Sequence, residues 1–137
     1  NHLFSAENGR LTYHAITRGR YGTEQIEGIS TVTGESIEGP IGSVSLLRLS
    51  PTAVDWIPTN TSATSNTAPQ AQARDFNPCP SCDPVSSAGR SQGIAFVYGR
   101  GRVVVIGEMG VLVDYSVPGM QNAQFALNVV RWLAREL

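Results

Sequence analysis

Read from its start, the chain is mixed and polar over residues 1–24, with Gly9, Gly19 and Gly22 as punctuation. The segment "IEGISTVTGESI" (26–37) is rich in Ile, Val and Thr. Such side chains suit a pleated, half-buried surface, which predicts a strand ending near Gly34. "IGSVSLLRLS" (41–50) alternates at first and then runs apolar, predicting a second strand, with "TAVDWI" (52–57) extending or following it. From 58 to 90 large apolar residues thin out in favour of Ser, Thr, Asn, Ala and Pro. That stretch is expected to be a polar insertion, because it offers too little apolar surface to offset the entropy of ordering.

Order returns at "QGIAFVYGRGRVVVIGE" (92–108). Ile94, Phe96 and Tyr98 share one face of a strand and Ala95 and Val97 the other. Gly99-Arg100-Gly101 then predicts a three-residue hairpin turn with positive φ supplied by the glycines. Val103 to Ile106 is apolar at every position and predicts a strand covered on both faces. The last segment, "NAQFALNVVRWLAREL" (122–137), carries Phe125, Val129, Trp132 and Leu133 at helical spacing. Gln124, Asn128, Arg131 and Arg135 form the opposite, wet stripe, and Asn122 is placed to cap the helix.

Composition narrows the function classes. At 137 residues the chain is long enough for one domain with a core, and its net charge of -1 offers nucleic acid no basic stripe. Every basic residue is Arg, and no apolar run reaches membrane-spanning length. Cys79-Pro80-Ser81-Cys82 reads first as a loop disulfide, then as free thiols, and last as half a metal site. Pro78, Pro80 and Pro84 oppose the helix that a redox-active pair requires, and His2 and His14 are far away in sequence. A disulfide implies an oxidising compartment, extracellular or periplasmic. No metal and no cofactor are expected.

Several motifs invite a chemical reading. Gly99-Arg100-Gly101 is no phosphate cradle, since it precedes a strand and lacks both the third glycine and the Lys. Gly89-Arg90-Ser91-Gln92-Gly93 matches the nucleophile elbow G-x-S-x-G, yet a loop precedes it, a strand follows it, and no His lies downstream. Glu108 closes the apolar strand and Asp114 follows it; paired carboxylates can do acid–base work, while the plainer expectation is that Glu108 bonds loop amides and Asp114 is solvated. His14, with Arg18 and Arg20 close behind, forms a candidate anion-binding group, against the plainer reading of a structural His and solvated arginines.

Three stretches also resemble one family. "HAITRGR" (14–20) resembles the His-Pro-Ile-x-Arg-Gly segment of trehalose-utilisation-like proteins, within the class I glutamine amidotransferase-like superfamily. "YGRGRVVVIGE" (98–108) resembles a strand of that group, and "NAQFALNVVRWLA" (122–134) its final helix. Ala15 stands where the family carries Pro, and neither Cys79 nor Cys82 fits the glutaminase elbow. The resemblance implies an α/β, flavodoxin-like fold, of which these residues would form one domain or the C-terminal part of one. The leading expectation is a non-catalytic binding or assembly module with a protein partner or a second copy of itself. The alternatives are an enzyme acting on a carbohydrate or related small molecule, with Glu108, Asp114 or His14 in its site, and a structural subunit. Because one amphipathic helix covers only one face of a buried strand, the segment is expected to associate or to belong to a longer protein.

Overall fold

All four strand pairings in the described residues are antiparallel. The structure is a computed structural model that describes residues 2–58, 79, 81–112 and 119–137. Its strands are β1 (His2–Ser5), β2 (Gly28–Thr31), β3 (Val44–Arg48), β4 (Val54–Pro58), β5 (Cys82–Ser86), β6 (Ser91–Tyr98) and β7 (Gly101–Ile106). Two α-helices accompany them, the single turn α1 (Ala15–Arg18) and α2 (Asn122–Leu133). The strands form three small sheets, β1–β2, β3–β6–β7 and β4–β5. The flavodoxin-like parallel α/β sheet implied by the family resemblance is therefore absent, and the fold is β-rich. Parallel neighbours need a crossover of a dozen or more residues, usually helical. Among the described residues the only long helix follows the last strand, and the described strands are joined antiparallel instead.

The strand covered on both faces is β6, not the predicted Val103–Ile106. β6 is the middle strand of its sheet, and Gln92, Ile94 and Ala95 are all buried within it. β7 lies at the edge, where Val105 keeps 39% of its surface exposed. An unbroken apolar run marks high β-propensity; sheet position decides how much of it is covered. The hairpin itself forms with a tighter turn than the three residues predicted. Tyr98 pairs with Gly101, leaving Gly99-Arg100 as the loop, and Gly99 carries the positive φ of 58°. Positive φ at the first of two central positions is the pattern of a type II′ turn, which suits the right-handed twist of hairpin strands.

One core joins the β1–β2 and β3–β6–β7 sheets with the helices. Phe4 and Ile29 from β1–β2, Leu46 and Leu47 from β3, Ile16 from α1 and Phe125 from α2 are fully buried in a single cluster. Val129 and Trp132 complete the helix's inward stripe as predicted, while Leu133 stays partly exposed. Asn128 departs from its predicted wet position and is wholly buried. Its Nδ2 donates to the carbonyls of Ile16 (2.8 Å) and Glu24 (2.9 Å), and its Oδ1 accepts from Gln124 (2.9 Å). Asn122 is not the cap; Gln121 holds that position. Asn122 instead pairs its amide with the backbone of Ser30, accepting from the N–H at 3.2 Å and donating to the carbonyl at 2.8 Å. It thereby ties the start of α2 to β2.

Three elements escaped the sequence pattern, the single turn α1 among them. β1 lies in the mixed N-terminal stretch, and β5 lies inside the predicted polar insertion. Pro84 in β5 is tolerated because a two-stranded ribbon consists of edges, which can lack a ladder donor. Pro84 sits opposite Trp56, and Cys82 opposite Pro58. The remainder of the expected insertion, 59–78 and 80, lies outside the described residues.

Candidate functional site

Among the described residues, those nominated from sequence are held in separate local settings. His14 caps α1, where its Nδ1 accepts from the Ile16 N–H at 3.2 Å. Thr17 closes the reciprocal half, accepting from the His14 N–H at 2.9 Å and donating to the Thr12 carbonyl at 2.7 Å. The imidazole meets Trp132 edge-on, with ring centroids 5.3 Å apart. Arg102 stacks over the same indole at 5.0 Å and donates to the carbonyls of Trp132 and Leu137. Burial first, and the Arg102 charge second, lower the His14 pKa. His14 is thus occupied in holding α1 against α2.

Arg18 is exposed, 6.0 Å from the Tyr13 ring. Arg20 is committed to Glu24, whose carboxylate takes the Arg20 side chain at 2.8 Å, the Arg20 N–H at 2.8 Å and Arg131 at 2.7 Å. Those hydrogen bonds from Arg20, with the charge of Arg131, hold the Glu24 pKa at about 2. Glu108 accepts from the Gly110 N–H at 2.8 Å through Oε1, while its Oε2 is buried with no hydrogen-bond partner among the described residues. Asp114 lies outside the described residues. Ser91 begins the central strand and donates to Ser45 at 2.6 Å, a setting unlike a strand–helix elbow. Cys79 and Cys82 form a disulfide that closes the start of β5. Among the described residues no cluster of acidic, His or Cys side chains is arranged to hold a metal, and no helix is long and apolar enough to cross a membrane.

The concave surface lies elsewhere. An open cleft of about 850 Å³ runs between the loop after β2 and strand β4, and none of His14, Arg18 or Glu108 lines it. The loop is fixed from below by buried Gln92, whose Oε1 accepts from Thr31 at 2.7 Å and whose Nε2 donates to the Thr33 carbonyl at 2.7 Å. Gly34 lies at φ 122°, and a Cβ there would meet Gln92 Nε2 at 2.5 Å and Glu108 Cβ at 2.6 Å. Only glycine lets the loop pass this close. The Glu35 N–H then donates to the Gly107 carbonyl at 3.0 Å, pinning the loop to the end of β7.

Across the cleft, Asp55 faces this loop. Its carboxylate accepts from the Ser36 N–H at 3.2 Å and from the Ser36 hydroxyl at 2.5 Å. Arg90 reinforces the pair, donating to Ser36 Oγ at 3.3 Å and lying 3.8 Å from Asp55 and 4.0 Å from Glu38. Next along β4, Trp56 lines the cleft and leaves 38% of its surface open. His2 and Arg10 form another part of the wall. Burial first, then neighbouring positive charge including Arg10, lowers the His2 pKa. Arg10 is half-buried, and its guanidinium has no ion pair or hydrogen bond with the described residues.

Sequence reasoning placed Trp56 and Asp55 in a strand and Arg90 in the false elbow, without nominating any of them as a site. The available signal was a Trp inside a short strand bordering a polar stretch. The partners that complete the cleft come from loops distant in sequence. No family model matches this chain, and no curated protein or solved structure matches it either.

Proposed function

We propose that the protein is a non-catalytic binding module that holds a carbohydrate in the cleft beside Trp56. The observation that carries this reading is an open hollow lined by part-exposed Trp56 and by a fixed carboxylate–hydroxyl–guanidinium group. A pyranose ring has apolar C–H faces that lie against an aromatic surface, and a rim of hydroxyls that need fixed polar partners. Trp56 supplies the first, and Asp55, Ser36 and Arg90 the second. The hollow is of a size that receives small molecules. In this reading Ser36 is a fixed polar partner, its hydroxyl donating to the Asp55 carboxylate and accepting from the Arg90 guanidinium. The family resemblance contributes no residue to this site. The disulfide suits an oxidising compartment, and we place the module outside the cytoplasm.

Calorimetric titration of an oligosaccharide panel against the wild type and Trp56→Ala tests the assignment. Binding should weaken about tenfold or more in the variant, as expected when a ring-sized apolar contact is lost. The melting temperature should hardly move, because Trp56 stands outside the core cluster. Undiminished binding by the variant would place the site elsewhere.

A further inference from the structure

We infer that the sugar recognised in this cleft carries a carboxylate, as a uronic acid does, and that Arg10 receives it. This rests on the carbohydrate reading above and names its ligand class. The two arginines of the cleft stand in different states. Arg90 faces Asp55, Glu38 and the Ser36 hydroxyl, so its charge is offset within the protein. Arg10 is half-buried and has no such partner among the described residues. A guanidinium that lines a hollow without an anionic partner of its own is free to pair with an incoming anion. Glu35 also lines the cleft but is exposed, where water solvates its charge without help.

The geometry of a guanidinium adds selectivity. Its planar fork matches the two oxygens of a carboxylate, giving two parallel charge-assisted hydrogen bonds. His2 beside it has its pKa lowered by burial and by neighbouring positive charge. His2 lines the same hollow, where an imidazole offers the ligand a hydrogen bond. A sugar acid thus finds three features in one hollow: an indole for its ring face, the Asp55–Ser36–Arg90 group for its hydroxyls, and an uncompensated guanidinium for its acid.

Four proteins and three probes decide it. Trigalacturonate, galactotriose and a sulfated galactotriose are titrated by calorimetry into the wild type, Arg10→Met, Arg10→Lys and Trp56→Ala. Arg10→Met keeps the apolar stem and removes the charge, so its fold should be retained, which thermal melting checks. Wild type should bind trigalacturonate about tenfold or more tighter than galactotriose, the scale of a bidentate charged contact. Arg10→Met should erase that preference while leaving galactotriose binding within about twofold, and Arg10→Lys should restore only part of it. Trp56→Ala should weaken both sugars together. Equal affinity for the acidic and neutral sugars, or a preference surviving Arg10→Met, would overturn the inference and leave the carbohydrate reading standing. A sulfated sugar bound as tightly as the uronate would overturn the carboxylate assignment. Absence of binding to all three probes would overturn the inference and count against the carbohydrate reading itself.

Discussion

At the scale of single residues, the polar groups that hold the fold together were the hardest to read from sequence. Phe125, Val129 and Trp132 announce themselves by helical spacing. Asn128 looks like one more wet position on the same helix, because its partners, Ile16 and Glu24, lie more than a hundred residues earlier. Truncating it removes the donor that both carbonyls share. Asn128→Ala should therefore cost about 2–3 kcal/mol in urea unfolding, the scale of leaving buried polar groups unmet; a cost under about 0.5 kcal/mol would contradict the burial.

His14 gives a second test at this scale. Its folded-state pKa lies below the ordinary 6.5, so the unfolded chain takes up the proton more readily. The contribution is full above 6.5 and is lost as pH falls through the folded value. Glu24 acts in the same direction further down, between 4.5 and about 2. His14→Asn keeps a capping side chain and removes the titration. Its stability should fall less than that of the wild type between about pH 7 and pH 5, a window taken from the ordinary His pKa. Identical pH dependence in the two proteins would rule out the clamp at His14.

At the scale of elements, the β6–β7 hairpin and α2 were legible because local chemistry specifies both. Glycines mark the turn, and an amphipathic stripe marks the helix. The exact turn was not legible, since either flanking glycine could carry the strained angle. The structure assigns it to Gly99, with φ of 58°. A Cβ on Gly101 would come no closer than 3.4 Å to its nearest neighbour, the Tyr98 carbonyl. Gly99→Val should thus destabilise by about 1–2 kcal/mol, the cost of a left-handed non-glycine residue, and Gly101→Val by clearly less. The reverse order in chemical unfolding would mean the turn is misassigned.

The β4–β5 ribbon was half hidden. Val54, Trp56 and Ile57 suggest a strand, but the proline- and serine-containing "CDPVS" does not, and only pairing with β4 makes it one. The disulfide at its end encloses a very short loop. Chain-entropy reasoning gives such a closure about 2 kcal/mol, less than a long loop would gain. Its effect should stay local, because only Cys82 of the pair belongs to the ribbon and neither Cys belongs to the core cluster. Replacing both cysteines by Ser should speed hydrogen exchange in Val54–Pro58 while leaving β6 protected. Equal loss of protection in β6 would show that the bond supports the whole fold.

At the scale of the molecule, the expected α/β architecture came from the resemblance of three short stretches to one family, and the reading of Val103–Ile106 as a doubly covered strand agreed with it. β7 is an edge strand, and coverage belongs to β6, whose Ser91 and Gln92 carry no hydrophobic signature at all. Buried Gln92 is invisible as a core residue, and yet it holds the loop that shapes the cleft. The site was illegible for the same reason: its walls come from the N-terminal strand, the loop after β2, strand β4 and the turn before β6, and only the tertiary fold brings them together.

The central claim is that this cleft is where a sugar binds, and amide-resolved NMR titration with trigalacturonate tests it most directly. The account predicts perturbations concentrated in residues 32–36 and 50–58, at Arg10 and Arg90, and at the Trp56 indole N–H, with the Trp132 indole N–H unmoved. Perturbations gathered instead around His14 and α2, with 32–36 and Trp56 silent, would contradict it.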